Sequence, residues 1–157
     1  MNIRLATERD IDQFRRVIEA SILVLCADDY NPQQLAALLK QYPGPKLYRQ
    51  WLRSRVLIVA KNDTGVVGFA QFDPDTASIE AVHVDPEYTH CGIGRGMVNE
   101  IETIARQRGI HQITLDASIN ADKFYAKCGY TRTGPGSFRC NNGIELATIA
   151  YEKSISE

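Results

Sequence analysis

Hydrophobic and polar positions follow a helical period over most of the first third of the chain. Residues 2–6 are typical of a short strand, and Thr7 can cap a helix that begins near Glu8. Asn31 followed by Pro32 indicates a second helix start, and residues 47–52 predict a short third helix. The core-facing positions of the first helix recur every three or four residues, at Ile11, Phe14, Val17, Ile18, Ser21 and Ile22.

Extended stretches separated by turn residues dominate the remainder of the chain. Three consecutive strands are predicted over 56–60, 66–72 and 77–84, and a helix over 94–107 that ends at Gly109. Then come a strand over 113–117, a short helix capped by Asn120, and strands over about 130–139 and 144–152. This order predicts a mixed α/β fold that starts with antiparallel strands, in a single domain over residues 1–157.

Composition and charge narrow the classes of partner. The chain is 44% hydrophobic and 24% charged, with a net charge of −1, as is typical of a globular protein. We expect no nucleic-acid or membrane partner, because there is no basic tract and no apolar run of about 20 residues. The N-terminus lacks the apolar core of a secretion signal, and the four cysteines have no metal-ligand spacing. We therefore expect no metal, reduced thiols and a cytoplasmic location.

A glycine-rich loop precedes the 94–107 helix, and residues 92–96 read Gly-Ile-Gly-Arg-Gly. Such a loop at a helix N-terminus aims backbone N–H groups at an anion, so we expect it to hold a pyrophosphate. The Walker motif is absent. The dinucleotide motif is disfavoured, although Asp116 stands at about the expected distance, because Met97 replaces the third glycine and Pro86 separates the loop from Val84. A glycine-rich helix start without a ligand is the remaining alternative.

Two segments between Ile79 and Gly129 resemble the GNAT superfamily of N-acetyltransferases. Val84-Asp85-Pro86, followed by Thr89-His90-Cys91-Gly92-Ile93-Gly94, is similar to the family pattern of Val-x-Pro and then Gln/Arg-x-x-Gly-x-Gly/Ala. Residues 120–130 match the family pattern Asn-x-x-Ala/Lys-x-Phe-Tyr-x-x-x-Gly-Phe/Tyr. The resemblance, to small bacterial members, implies a twisted and mostly antiparallel sheet of about seven strands with flanking helices. Thr89 replaces the usual Gln or Arg, and His90-Cys91 the commonly basic pair; since the family binds pyrophosphate mainly through backbone N–H groups, we expect weaker affinity at worst.

The resemblance implies that acetyl-CoA is the cosubstrate. Its pantetheine arm is expected along the end of the 77–84 strand and its pyrophosphate at the glycine loop. The implied coenzyme-binding residues are Val82, His83, Val84, Thr89, His90, Cys91, Gly92, Ile93, Gly94, Arg95, Gly96, Asn120 and Tyr125.

The implied reaction is direct attack of an amine on the acetyl thioester, which needs a base and an acid. We predict Glu80 as the base: strand alternation puts it on one face with Val82 and Val84, and apolar neighbours would raise the pKa of its carboxyl. His83, with an ordinary pKa near 6.5, is the alternative base but falls on the opposite face. By resemblance, Tyr125 hydrogen-bonds the coenzyme sulfur and protonates the leaving thiolate. An exposed surface glutamate and a core tyrosine are the structural alternatives.

The acceptor is expected to be a primary amine of a small molecule or peptide. The segment after the first helix carries aromatic residues and carboxylates suited to a cationic amine, although these aromatics also fit a core: Tyr30, Tyr42, Tyr48, Trp51, Asp28 and Asp29. Two alternatives remain for the same scaffold. The protein is a non-catalytic acetyl-CoA sensor or regulatory module, or it transfers another acyl group or acylates an oxygen nucleophile. Homodimers are common in this superfamily.

Overall fold

The computed structural model describes residues 1–156 and contains five helices and seven strands within them. The helices are α1 (Ile11–Leu25), α2 (Pro32–Leu39), α3 (Pro45–Ser54), α4 (Ile93–Gln107) and α5 (Asp122–Lys127). The strands are β1 (Asn2–Leu5), β2 (Val56–Asn62), β3 (Gly65–Asp73), β4 (Ser78–Val84), β5 (Gln112–Ser118), β6 (Thr131–Arg139) and β7 (Glu145–Ser154). Single 3₁₀ turns cover Glu8–Asp10, Pro86–Tyr88 and Ile119–Ala121.

All seven strands form one sheet in the order β1-β2-β3-β4-β5-β7-β6. Every neighbouring pair is antiparallel except β4 and β5, which run parallel. The parallel pair is joined through α4, as a parallel connection requires a crossover. The predicted mixed α/β fold with a mostly antiparallel sheet of seven strands is confirmed.

Helices cover the sheet on both faces. On one face, α4 and α5 bury Met97, Val98, Ile101 and Tyr125 against Ile58, Phe72 and Ile79 of the sheet. On the other face, α1 and α3 bury Phe14, Ile18 and Tyr48 against Leu57, Val59 and Phe69. Strands β2 and β3 feed both cores, which explains why they are almost continuously buried and apolar instead of alternating.

Two helix starts differ from the sequence prediction. Residues 8–10 form a 3₁₀ turn after Thr7, whose backbone N–H donates to the Asp10 carboxylate at 2.8 Å, and α1 itself begins at Ile11. The predicted 47–52 helix is longer and runs from Pro45, where proline fits the first helical turn. No helix within residues 1–156 has the length and hydropathy needed to cross a bilayer.

Candidate active site

Strands β4 and β5 part after only two paired positions, and their parting opens a cleft in the sheet. Ser78 pairs with Thr114 and Ile79 with Leu115, and no later residues of the two strands pair. The cleft has a volume of about 120 Å³ and lies between β4 and the end of β5. It is large enough to hold an acyl group and the reacting end of an acceptor, but too small to hold a whole coenzyme. A shallow surface depression of about 500 Å³ at residues 43–47 and Gln50 has none of the predicted chemistry.

A β-bulge in β4 places Glu80 on the face opposite to the one predicted. Gln71 of β3 pairs with Ala81 and Phe72 with Ile79, so Glu80 is the extra residue. Ile79 therefore packs into the α4 core and Ala81 into the α1 core, while Val82 packs against the α4 core again. The predicted grouping of Glu80 with Val82 and Val84 is wrong, because simple alternation does not survive a bulge.

Glu80 is held by two polar partners on the α1 side of the sheet. Arg55 Nε donates to Glu80 Oε1 at 2.7 Å, and Gln71 Nε2 donates to the same oxygen at 3.0 Å. The ion pair is partly open to solvent, with 27% of the Arg55 side chain and 33% of the Glu80 side chain exposed. The prediction of apolar surroundings for Glu80 is wrong, because its carboxylate contacts a guanidinium and an amide and is partly open to solvent. Glu80 is thus ion-paired with Arg55 where it lines the cleft.

His83 lines the same cleft as Glu80, contrary to the predicted separation onto opposite faces. Its Nδ1 lies 3.1 Å from the Ser21 hydroxyl and its Nε2 lies 3.4 Å from the Tyr42 hydroxyl. The Tyr42 ring meets the imidazole edge to face at 5.4 Å. Burial among these groups lowers the pKa of His83 to about 4, so the imidazole is neutral at pH 7.

Tyr125 lies on α5, on the opposite side of the cleft from the bulge. Its ring packs against Phe124, Tyr130 and Tyr151, with centroids 4.9, 5.9 and 6.1 Å away. Only 6% of the residue is exposed, yet within residues 1–156 no group hydrogen-bonds its hydroxyl. Burial, and then the neighbouring Cys128 and Tyr42, raise the pKa of the Tyr125 phenol, which stays protonated at neutral pH. The ring is buried, but the hydroxyl oxygen is accessible from the cleft, where it is a donor without a partner among the described residues.

The prediction that Asn120 caps α5 is wrong. Asn120 lies inside the 3₁₀ turn Ile119–Ala121, which moves the start of α5 to Asp122. The side chain is exposed, and its Oδ1 accepts from Cys26 Sγ at 3.4 Å, which leaves the amide N–H groups available to a ligand.

The glycine loop presents free backbone N–H groups at the start of α4. His90 and Gly92 both have left-handed backbone conformations, with φ of 62° and 81°. Gly92 ends the loop with its carbonyl accepting from Gly96 N–H at 3.0 Å, so the N–H groups of residues 93–95 have no partner within the helix. No acidic residue occupies the first turn of α4. The arrangement suits an anion.

The side chains of the loop have different surroundings. Thr89 Oγ1 donates to Pro86 O at 3.2 Å, and Ile93 is buried in the core. Gly94 packs so close to Phe124 that a Cβ would lie 3.0 Å from the ring, and a Cβ at Gly96 would overlap Ile3 of β1. His90, Cys91 and Arg95 are exposed. Two of the three glycines are thus also required for packing α4 against α5 and β1.

Of the aromatic residues expected to wall the acceptor site, Tyr30 and Tyr42 line the cleft. Tyr48 and Trp51 pack instead in the α1 core, and Asp28 and Asp29 are exposed away from the cleft lining. Sequence reasoning missed Arg55 as the partner of Glu80 and missed Asp116 as a cleft residue. Both depend on contacts between distant segments, and the only sequence signal was the position of Asp116 near the end of a predicted strand.

A protein-family model described as an acetyltransferase (GNAT) domain matches residues 26–153. The chain belongs to the GNAT family. This GNAT chain is similar to a Rhodopseudomonas palustris structure described as a GCN5-related N-acetyltransferase (aminotransferase, class-II). The two share 30% identity over 98% of this chain and 94% of that one, with a TM-score of 0.89.

Other relatives extend the comparison. The PaiA N-acetyltransferase of Thermoplasma acidophilum, in complex with coenzyme A, has the same fold at 18% identity, with a TM-score of 0.76 over 98% of this chain and 99% of that one. An uncharacterised acetyltransferase of Streptococcus pyogenes serotype M1 is 30% identical over 86 residues. That match covers 53% of this chain and 60% of the relative, so the chain spans about three fifths of the length of that curated protein.

Proposed function

We propose that this GNAT chain is an acetyl-CoA-dependent N-acetyltransferase that transfers the acetyl group directly to a primary amine of a small molecule or peptide. The observation that carries the proposal is Tyr125, a largely buried residue whose hydroxyl has no partner within residues 1–156 and which lines a cleft that opens where β4 and β5 part. The relative solved with coenzyme A supports the choice of cosubstrate.

The coenzyme's pyrophosphate binds at the loop formed by residues 89–96, through the free N–H groups at the start of α4. Arg95, exposed on the first turn, adds positive charge there. The unpaired backbone of Val82, His83 and Val84 on the cleft side of β4 accepts the pantetheine arm as an additional strand would. The free amide of Asn120 contacts the same arm.

Glu80 takes the proton of the attacking amine, directly or through one water. An alkylammonium with a pKa of about 10.4 is only about one part in a thousand neutral at pH 7, so a proton acceptor is needed. Arg55 and Gln71 both donate to Oε1 of Glu80, which leaves its second carboxylate oxygen free for this task. His83, with a pKa of about 4, is less suited, and its two nitrogens already face Ser21 and Tyr42.

Tyr125 stabilises the leaving group. When the amine nitrogen bonds to the acetyl carbon, the carbon–sulfur bond breaks and the sulfur leaves with the electron pair. The protonated Tyr125 hydroxyl donates to this thiolate, and its raised pKa keeps the proton available as a hydrogen bond across the neutral pH range.

We place the protein in the cytoplasm as part of the proposal. All four cysteines are free thiols, three of them buried and Cys91 exposed, which suits a reducing compartment. A homodimer is compatible with the family.

The test is thiol release from acetyl-CoA over a panel of amines, polyamines, amino acids and peptides, with coenzyme binding measured in parallel by calorimetry. We expect Tyr125→Phe and Glu80→Gln to lose about 10²-fold or more in kcat while coenzyme binding persists. Glu100→Gln, on α4 and away from the cleft, is the matched control and keeps full activity.

Other outcomes discriminate the alternatives. Tight coenzyme binding without turnover on any acceptor would favour the sensor or regulatory reading. Turnover on alcohols alone would favour an oxygen nucleophile, and absence of coenzyme binding would refute the proposal.

A further inference from the structure

Asp116 of β5 lies across the cleft opening from Glu80. The last paired positions of the two parallel strands are Ile79 and Leu115, so Glu80 and Asp116 are the residues that follow immediately on each side of the parting. Both line the cleft, as does Tyr125, whose hydroxyl has no partner within residues 1–156. The two carboxylates therefore flank the point at which the sheet opens.

Asp116 is solvent-exposed at the mouth of the cleft, and within residues 1–156 its carboxylate has no ion-pair partner. Glu80 has Arg55 as its ion-pair partner, whereas no lysine, arginine or histidine of the described residues pairs with Asp116. Its polar side-chain contact is Thr148 Oγ1, which donates to Asp116 Oδ1 at 3.4 Å. Gly136 on β6 leaves the space for this carboxylate, because a Cβ there would overlap Asp116 Oδ1.

No lysine or arginine contributes to the described lining of the cleft, and His83 is neutral. Arg55 pairs with Glu80 at 2.7 Å and also lies 3.7 Å from Asp73, so its positive charge is shared. Asp116 adds a carboxylate that no cation of the described residues pairs. An acceptor with a carboxylate or phosphate close to its amine would meet this charge without any compensating cation. The remaining walls of the cleft are largely apolar and include Tyr30, Leu38 and Phe138.

We propose that Asp116 binds the incoming ammonium group, and that the acceptor is a primary amine on an uncharged, apolar or aromatic carbon body. The ammonium is the prevailing form of the acceptor in solution, so a carboxylate at the cleft opening concentrates it before Glu80 receives its proton. This inference rests on the proposed function. It adds the class of acceptor and assigns Asp116 a role in specificity, not in proton transfer.

The experiment compares amines that differ by one carboxylate: tyramine with tyrosine, phenethylamine with phenylalanine, and 3-methylbutylamine with leucine. Steady-state thiol release is measured with acetyl-CoA saturating, for the wild type and for Asp116→Asn and Asp63→Asn. Asp63 is exposed in the β2–β3 turn and serves as the matched control.

We expect kcat/KM of the wild type to be about 10-fold or more higher for each amine than for its carboxylated partner. Asp116→Asn should raise KM for the amines about 10-fold, change kcat by less than about threefold, and shrink the preference between partners. Asp63→Asn should change neither.

Equal or better use of the carboxylated partners by the wild type, or a preference that survives in Asp116→Asn, would overturn the inference while leaving acetyl transfer intact. Coenzyme binding with no thiol release on these acceptors or on the wider amine panel would instead refute the proposed function and the inference with it.

Discussion

His83 illustrates how one half-buried side chain couples the cleft to the stability of the fold. Its imidazole lies between the Ser21 hydroxyl of α1 and the Tyr42 hydroxyl in the α2–α3 connection, with no carboxylate as a direct partner. Desolvation lowers the pKa of His83 to about 4, below its ordinary value of 6.5. The native state therefore binds this proton less readily than the unfolded state does.

The pH dependence of stability follows from that difference. Above pH 6.5 the imidazole is neutral in both states, and its stabilisation is fully present. As the pH falls from 6.5 to about 4, the unfolded state is protonated preferentially, and up to about 3 kcal/mol is lost. Urea unfolding between pH 4 and 7 should show the wild type losing more stability than His83→Gln. The exposed His111→Gln variant serves as the control, and identical pH profiles for His83→Gln and wild type would contradict the assignment.

The short helix α5 is tethered at both ends by residues of β7. Tyr151 donates to the carbonyl of Asp122 at 3.0 Å and also contacts the Asp122 carboxylate. Lys153 Nζ donates to Cys128 O at 2.9 Å and pairs with the buried Glu102 of α4 at 2.9 Å. Six residues form too short a helix to be stable alone, so these contacts fix the helix that carries Tyr125.

Loosening the C-terminal tether should reduce turnover through Tyr125. Lys153→Met alone leaves Glu102 without its lysine partner and costs several kcal/mol of stability, so the informative variant combines it with Glu102→Gln. We expect the double variant to fold and to lose about 10-fold in kcat, since small displacements of a positioned group are costly. In a Tyr125→Phe background the same pair should cost little further activity. An equal loss in both backgrounds would show that the tether does not act through Tyr125.

At the scale of elements, most of the fold was predictable from local signals. Ile11 to Ile22 on α1 and Met97 to Ala105 on α4 follow helical spacing, and Gly109 ends α4 as predicted, with Ile110 N–H donating to Ala105 O at 3.0 Å. The bulge at Glu80 was not predictable, because it depends on the register with β3. The cap assigned to Asn120 failed for a local reason, an additional 3₁₀ turn.

The candidate site divides in the same way. Tyr125 and the glycine loop carry sequence patterns and lie on α5 and at the start of α4, whereas Arg55 and Asp116 reach the cleft through sheet pairing and chain crossover. Glu80 and His83 were both predicted as candidate bases. That they lie on the same face of the sheet depends on the bulge and could not be predicted from the sequence.

For the whole molecule, coenzyme binding should couple to global stability. A ligand present at about 100 times its Kd adds about 2.7 kcal/mol, which for a chain of this size raises Tm by about 5–10 °C. Thermal unfolding with acetyl-CoA, with pantetheine and with adenosine 3′,5′-bisphosphate should show the full shift only for the intact coenzyme. An unchanged Tm at saturating acetyl-CoA would contradict binding to the native state.

The parting of β4 and β5 gives the sheet two edges in its interior, in addition to the outer edges at β1 and β6. An unpaired strand edge is a template for any extended chain, including a segment of a second copy. Without its ligand the protein can pair with a second copy through these inner strand edges. It should therefore self-associate faster at high concentration than the ligand-bound form. The coenzyme would then have two roles: it is a reactant, and when bound it covers the free edges of β4 and β5 and so limits self-association.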